Sequence, residues 1–180
     1  MIGRGHVGVF VVSVLSMNSN QALPQSSSEP IHARSQFVFT LPASLERAAP
    51  LFGPEGERCW AGAHWNPQFV YPRPGKDVEG AVFTVEHGSV RSIWVNTLFD
   101  LANGRMQYVS FIPDAVVSTI DVRLTRVGPN KTEVQVTYTR TALAVAANEH
   151  VSALARSDRA NGPQWQRAIE SCLAKEKRER

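Results

Sequence analysis

Few side chains in this 180-residue sequence are of the kinds that do proton or covalent chemistry, and their spacing narrows what chemistry is available. The best-placed base is His87, which ends the alternating stretch "GAVFTVEHG" beside Gly88, with Tyr108 or Tyr138 as hydrogen-bond donors. No second titratable group clearly shares its face, and a histidine at a strand end beside glycine is commonly an exposed turn residue. Cys59, His64 and Cys172 are conceivable zinc ligands, but no CxxC or HxxxH spacing gathers them locally. The two cysteines are either a disulfide, which an oxidising compartment would permit, or two buried free thiols. Neither stands near a histidine in a nucleophile pattern. Neither GxSxG nor a phosphate-cradling glycine loop occurs, so nucleophilic and nucleotide chemistry find no support.

Aromatic residues are the more informative group. "CWAGAHWNPQFVYPRPG", Cys59 to Gly75, places Trp65, Phe69 and Tyr71 on one parity and His64, Asn66 and Gln68 on the other. Side chains of a strand alternate between faces, so this reads as a half-buried strand, and Pro67 and Pro72 assign it to a sheet edge.

The elements that must carry these residues follow from periodicity. Residues 34–42, "RSQFVFTLP", form a strand ended by Pro42, followed by two short helical pieces, the first capped by Ser44. From Gly80 the strand pattern is nearly continuous, with a turn at Asn103–Gly104. The clearest hairpin sets Ile120, Val122 and Leu124, then Val134, Val136 and Tyr138 after "GPNK", on dry faces opposite wet ones. Polar residues with interior parity are His87, Thr97, Ser110, Ser118 and Arg140. Arg140 continues the Val134–Val136–Tyr138 face and could pair with a ligand carboxylate, although a strand end favours exposure or pairing with Asp100 or Glu149. The chain closes with an alanine-rich helix over about 144–160 and, after "NGP", a second helix. Trp165, Ala168, Ile169, Cys172 and Leu173 make an apolar stripe along it. A helix that dry on one face must lie on the single dry face of the sheet.

Charge excludes one class of partner. The tail "KEKRER" and Arg4 account for all of the formal +3, leaving residues 23–174 neutral despite a pI of about 9.1. A neutral body lacks the basic patch that nucleic-acid binding needs. The apolar run Val7–Met17 is too short to span a bilayer and fits the core of a secretory signal peptide, with Ala22 before the cleavage point and Asn20 a poor minus-three residue. The alternative is a cytoplasmic protein starting at Met17. The expected organisation is a leader and Pro/Ser-rich linker over 1–30, one α+β domain over 31–176, and a basic tail over 177–180.

"FVFTLPASLERAAPLFG", "HWNPQFVYPRPG", the strand run ending "TEVQVTYTRTAL" and the helix "WQRAIESCL" together resemble the START-like (SRPBCC) superfamily over about residues 34–176. This is the helix-grip fold of polyketide cyclases and lipid-transfer domains. The resemblance implies a curved antiparallel sheet gripping the C-terminal helix, with a gap between them for a small hydrophobic or amphipathic ligand and no cofactor or metal. Trp65, Phe69, Tyr71, Phe83, Val85, Phe99, Tyr108, Val122, Val136 and Tyr138 would face that gap, with Trp165 and Ile169 opposite. Two alternatives stand beside a binding protein: a cyclase or aromatase using His87 as base on a bound ketone, and a non-catalytic interaction module whose core is filled.

Overall fold

The structure, a computed structural model, describes residues 28–179; the apolar run, the Ala22 cleavage point and most of the linker lie outside the described residues. Strand β1 (His32–Leu41) leads into a one-turn helix α1 (Leu45–Ala48) and two 3-10 turns, Ala49–Phe52 and Gly56–Cys59. Strands β2 (Gln68–Tyr71), β3 (Val82–His87), β4 (Val90–Asp100), β5 (Arg105–Ile112), β6 (Val116–Gly128) and β7 (Lys131–Ala142) follow. Helices α2 (Asn148–Asp158) and α3 (Gly162–Glu179) complete the chain. Among the described residues the strands form one antiparallel sheet in the order β1-β7-β6-β5-β4-β3-β2. Chain neighbours pair as hairpins from β2 to β7, and β1 closes on β7.

Register explains the core. Met106, Val122, Val136 and Phe37 lie directly opposite one another across β5, β6, β7 and β1, and all four are buried. Ile169, Cys172 and Leu173 of α3 pack onto the same cluster. Each large apolar side chain so buried contributes roughly 1.5–3 kcal/mol. Local signals agree with this packing. The Leu101–Gly104 turn has Gly104 at φ +63°, and a β-carbon there would come within 2.5 Å of the Leu124 carbonyl oxygen, so only glycine fits. Asp100 accepts from the Asn103 backbone N–H at 3.1 Å and fastens the turn.

Two bulges redirect side chains that strict alternation assigns otherwise. Phe69 pairs with Phe83 but Tyr71 pairs with Val82, so Val70 is an extra residue and Tyr71 turns outward, 61% exposed. In β4, Asn96 opposes Tyr108 while Leu98 opposes Gln107, leaving Thr97 as the inserted residue. Past it Phe99 faces the core beside Met106. Before it the inward residues are Ser92, Trp94 and Asn96, and the apolar Ile93 is 40% exposed. Thr97 is exposed and bonds Gln107 on its neighbour strand.

Cys59 and Cys172 form a disulfide, Cα–Cα 5.8 Å, tying the second 3-10 turn to α3 across 113 residues of sequence. Their sulfurs are therefore bonded to each other and do not form a zinc site with His64. Replacing both cysteines by serine should lower the unfolding free energy by about 2–4 kcal/mol. Urea titrations followed by circular dichroism check this: reductant should weaken the wild type by the same amount and leave the variant unmoved. A wild type indifferent to reductant would contradict the bridge.

Candidate functional site

The segment between α1 and β2 is irregular, yet it is pinned at many points. Asp77 accepts from the backbone N–H groups of Glu55 and Gly56 at 2.9 and 3.2 Å, and Gly53 makes room for it, since a β-carbon there would stand 2.2 Å from the carboxylate. The Trp60 indole donates to the Leu51 carbonyl at 2.6 Å and the Trp65 indole to that of Pro54 at 2.8 Å. Arg58 holds Glu55, Asn66 and the Pro67 carbonyl. With the disulfide added, the segment forms a fixed wall over one end of the sheet.

Beneath that wall lies a cavity of about 650 Å³, within the range of small-molecule sites. Its floor is the concave face of β4–β7, and α2 and α3 close the other side. All four tryptophans of the sequence line it: Trp60, Trp65, Trp94 and Trp165. They stand in two contacting pairs. Trp65 meets Trp94 edge to face with centroids 5.4 Å apart, and Trp60 tilts on Trp165 at 4.8 Å. The Trp94 indole donates to Ser92 Oγ at 2.7 Å, so three of the four N–H groups are spent on the protein and the rings are held in place.

Polarity changes along the floor from one cross-strand row to the next and peaks in the third, beyond which Ile112 and Val116 line the cavity as apolar residues again. The row Met106–Val122–Val136–Phe37 is packed core, of which Val122 reaches the cavity. The next, Asn96–Tyr108–Ile120–Tyr138–Ser35, brings two tyrosines to the cavity. The third, Trp94–Ser110–Ser118–Arg140, puts two serine hydroxyls and a guanidinium side by side. Arg140 is neutralised within the protein. It forms a buried ion pair with Asp158 through two hydrogen bonds, Nη2 to Oδ1 measuring 3.1 Å, while the Ser35 hydroxyl donates to Asp158 at 2.6 Å. Its guanidinium also lies 4.1 Å over the Tyr138 ring.

A wall over a curved antiparallel sheet, two helices across its concave face and an apolar cavity between them define the architecture. The chain has the START-like helix-grip fold. Solved structures of this fold align over most of the sequence at low identity. Norcoclaurine synthase from Thalictrum flavum, in complex with dopamine and hydroxybenzaldehyde, matches at 10% identity and TM-score 0.58, covering 96% of this chain and 98% of that one. The Mll3558 protein from Rhizobium loti matches at 17% and 0.56, covering 80% and 99%. Ara h 8.0201 matches at 15% and 0.55, covering 79% and 99%. No family model and no curated protein matches the sequence.

Within the helix-grip cavity the residues expected from sequence divide into two groups. Trp65, Tyr108, Tyr138 and Trp165 line it, as does Val122 at its inner end. Phe83, Val85, Val136 and Ile169 do not: they are fully buried beneath it or in the packed end, where neighbours fill the space. Phe69 packs on Phe83 and Phe99 on the core, both away from the cavity, and Tyr71 faces solvent through its bulge. His87 reaches the cavity rim, exposed, with its ring 6.2 Å from that of His64. Partial burial, then the neighbouring His64, hold its pKa below the ordinary value. Arg140 pairs with Asp158, since Glu149 is taken by Arg156 and Asp100 by Asn103.

Glu57 is the residue that sequence reasoning passed over. In "GPEGERCW" it reads as a surface turn, but the 3-10 turn points it into the cavity. Burial first, and the nearby Asp77 second, push its carboxyl pKa well above the usual range. Its charge in turn raises the pKa of both Tyr108 and Tyr138, for which burial is the larger cause; the Tyr108 hydroxyl donates to the Phe52 carbonyl.

The folded protein thus holds the Glu57 proton to higher pH than the unfolded chain does, so this group costs stability as pH climbs through that interval. Glu57→Gln removes the cost. The gain in unfolding free energy over wild type should be larger at about pH 8 than at about pH 5, read from urea titrations at both. A gain independent of pH would mean that the carboxyl sits in water.

Proposed function

We propose that this protein binds a small, largely apolar and aromatic-compatible molecule in the cavity between the sheet and helices α2 and α3. The observation that carries the reading is the convergence of all four tryptophans on one cavity of about 650 Å³. Close packing is the rule inside proteins, and a space of this size bordered by fixed rings, with two serine hydroxyls that lack protein partners among the described residues, suits a guest. Burying such a molecule gains roughly 25 cal/mol per Å² of apolar surface. The hydroxyls of Ser110 and Ser118 would orient it. A neighbour of the same fold holds two small aromatic molecules, dopamine and hydroxybenzaldehyde, which supports the size and class of the guest.

Uncharged N-phenyl-1-naphthylamine, whose emission rises in apolar surroundings, should bind the wild type and fail to bind Ser118→Trp, which fills the cavity floor. Equal emission with both proteins, or none with the wild type, would refute the proposal.

We further propose that the chain is exported. The apolar run Val7–Met17 and the Cys59–Cys172 disulfide support this, because disulfides persist in oxidising compartments. Protein recovered from its native cell should begin close to Gln21–Pro24; a chain beginning at Met1 or Met17 would overturn the assignment.

A further inference from the structure

The electrostatic composition of the cavity narrows the guest further. Arg140, the guanidinium among its lining residues, is satisfied by Asp158 and covers Tyr138, so it has no charge to offer an anion. The Trp60, Trp65 and Trp94 N–H groups point to protein acceptors, so these rings present π-electron surface instead of donors. Glu57 stands among them with no hydrogen bond or ion pair to its carboxyl among the described residues. Glu57 is half-buried, and a carboxyl set among these rings with the Asp77 carboxylate nearby and no cation is costly to ionise, whereas an incoming cation supplies the missing partner and gains from the ring faces as well. The imidazoles of His64 and His87 sit at the exposed rim and that of His150 on α2, likewise exposed.

We infer that the guest carries an organic ammonium group, received by the Glu57 carboxylate and the tryptophan faces, with its apolar body along the rest of the cavity. This deepens the binding reading above and rests on it. The Glu57 O–H bond breaks, its proton leaves to solvent, and the ammonium donates N–H bonds to the carboxylate so formed. Binding therefore releases up to one proton per molecule, and no other bond changes. The raised pKa of Glu57 agrees with a carboxyl that lacks its partner.

Three probes of one shape test this: 3-phenylpropylammonium, the neutral 3-phenylpropan-1-ol and the anionic 4-phenylbutanoate, titrated calorimetrically into the full chain. The ammonium should bind about tenfold or more tighter than the alcohol, and the carboxylate weakest. Repeating the titration in buffers of different ionisation enthalpy should show proton release for the ammonium alone. Glu57→Gln should abolish the release and the preference for the ammonium over the alcohol. The wild-type proton count stands even where that variant folds poorly. Equal binding of ammonium and alcohol, tightest binding of the carboxylate, or ammonium binding without proton release would overturn the inference and leave the cavity reading intact. Binding of none of the three, together with failure of the neutral naphthylamine probe, would remove both.

Discussion

The structure depends on how far helix α3 reaches down the concave sheet. Ile169, Cys172 and Leu173 bury themselves on the Phe37–Val136–Val122–Met106 row, and there helix and sheet meet without a gap. One turn toward the N-terminus Trp165 still touches Phe37, but its other neighbour is Trp60 from the wall. From that point the helix no longer fills the curve. The cavity is the volume left between a sheet that continues to bend and a helix that has already found its contacts. Its closure falls to α2 and to the pinned segment after α1. The disulfide joins the two parts of this arrangement, since Cys172 belongs to the packed stripe and Cys59 to the wall.

Polar groups gather in the middle of the cavity floor. The Met106–Val122–Val136–Phe37 row at the packed end is wholly apolar, the polar row carries Ser110, Ser118 and Arg140, and Ile112 and Val116 beyond it are apolar again. A charge this deep is tolerable only when paired. Arg140 meets that condition through Asp158 and Ser35, and breaking such a buried pair typically costs about 3–5 kcal/mol. Glu57, half-buried at the cavity, has no such partner among the described residues, and burial followed by the nearby Asp77 raises its carboxyl pKa. The two groups therefore differ in consequence: one is a completed structural contact, the other an uncompleted one facing the space a guest would occupy.

Legibility in the sequence tracked how local each determinant was. The β6–β7 hairpin, the Asn103–Gly104 turn and the break before Pro163 are written in neighbouring residues, and the structure has them where the pattern places them. Within a strand, parity held only as far as a bulge. An insertion of one residue reverses every later side chain, and neither Val70 nor Thr97 differs from an ordinary strand residue. In β4 the pattern misled outright, because the outward side before the bulge carries Ile93 and Val95 while the inward side carries Ser92, Trp94 and Asn96. Trp94 became legible only through its pairing with Phe83 and Ser110. Glu57, in a polar turn between glycines, carried no signal, and Arg140 gave parity but not its partner eighteen positions later on α2.

What the sequence by itself determined is the antiparallel run, the dry stripe of α3, the neutral body and the likeness to a helix-grip fold. Each rests on periodicity or composition, which nearest neighbours along the chain specify. Tertiary structure alone decided that Cys59 meets Cys172, that four tryptophans scattered over a hundred residues surround one cavity, and that Glu57 is aimed into it. Those are meetings between segments whose separation in the chain carries no information about their separation in space. The competition between filling the core and pinning the wall, settled only when the whole sheet has curved, is what brings them together.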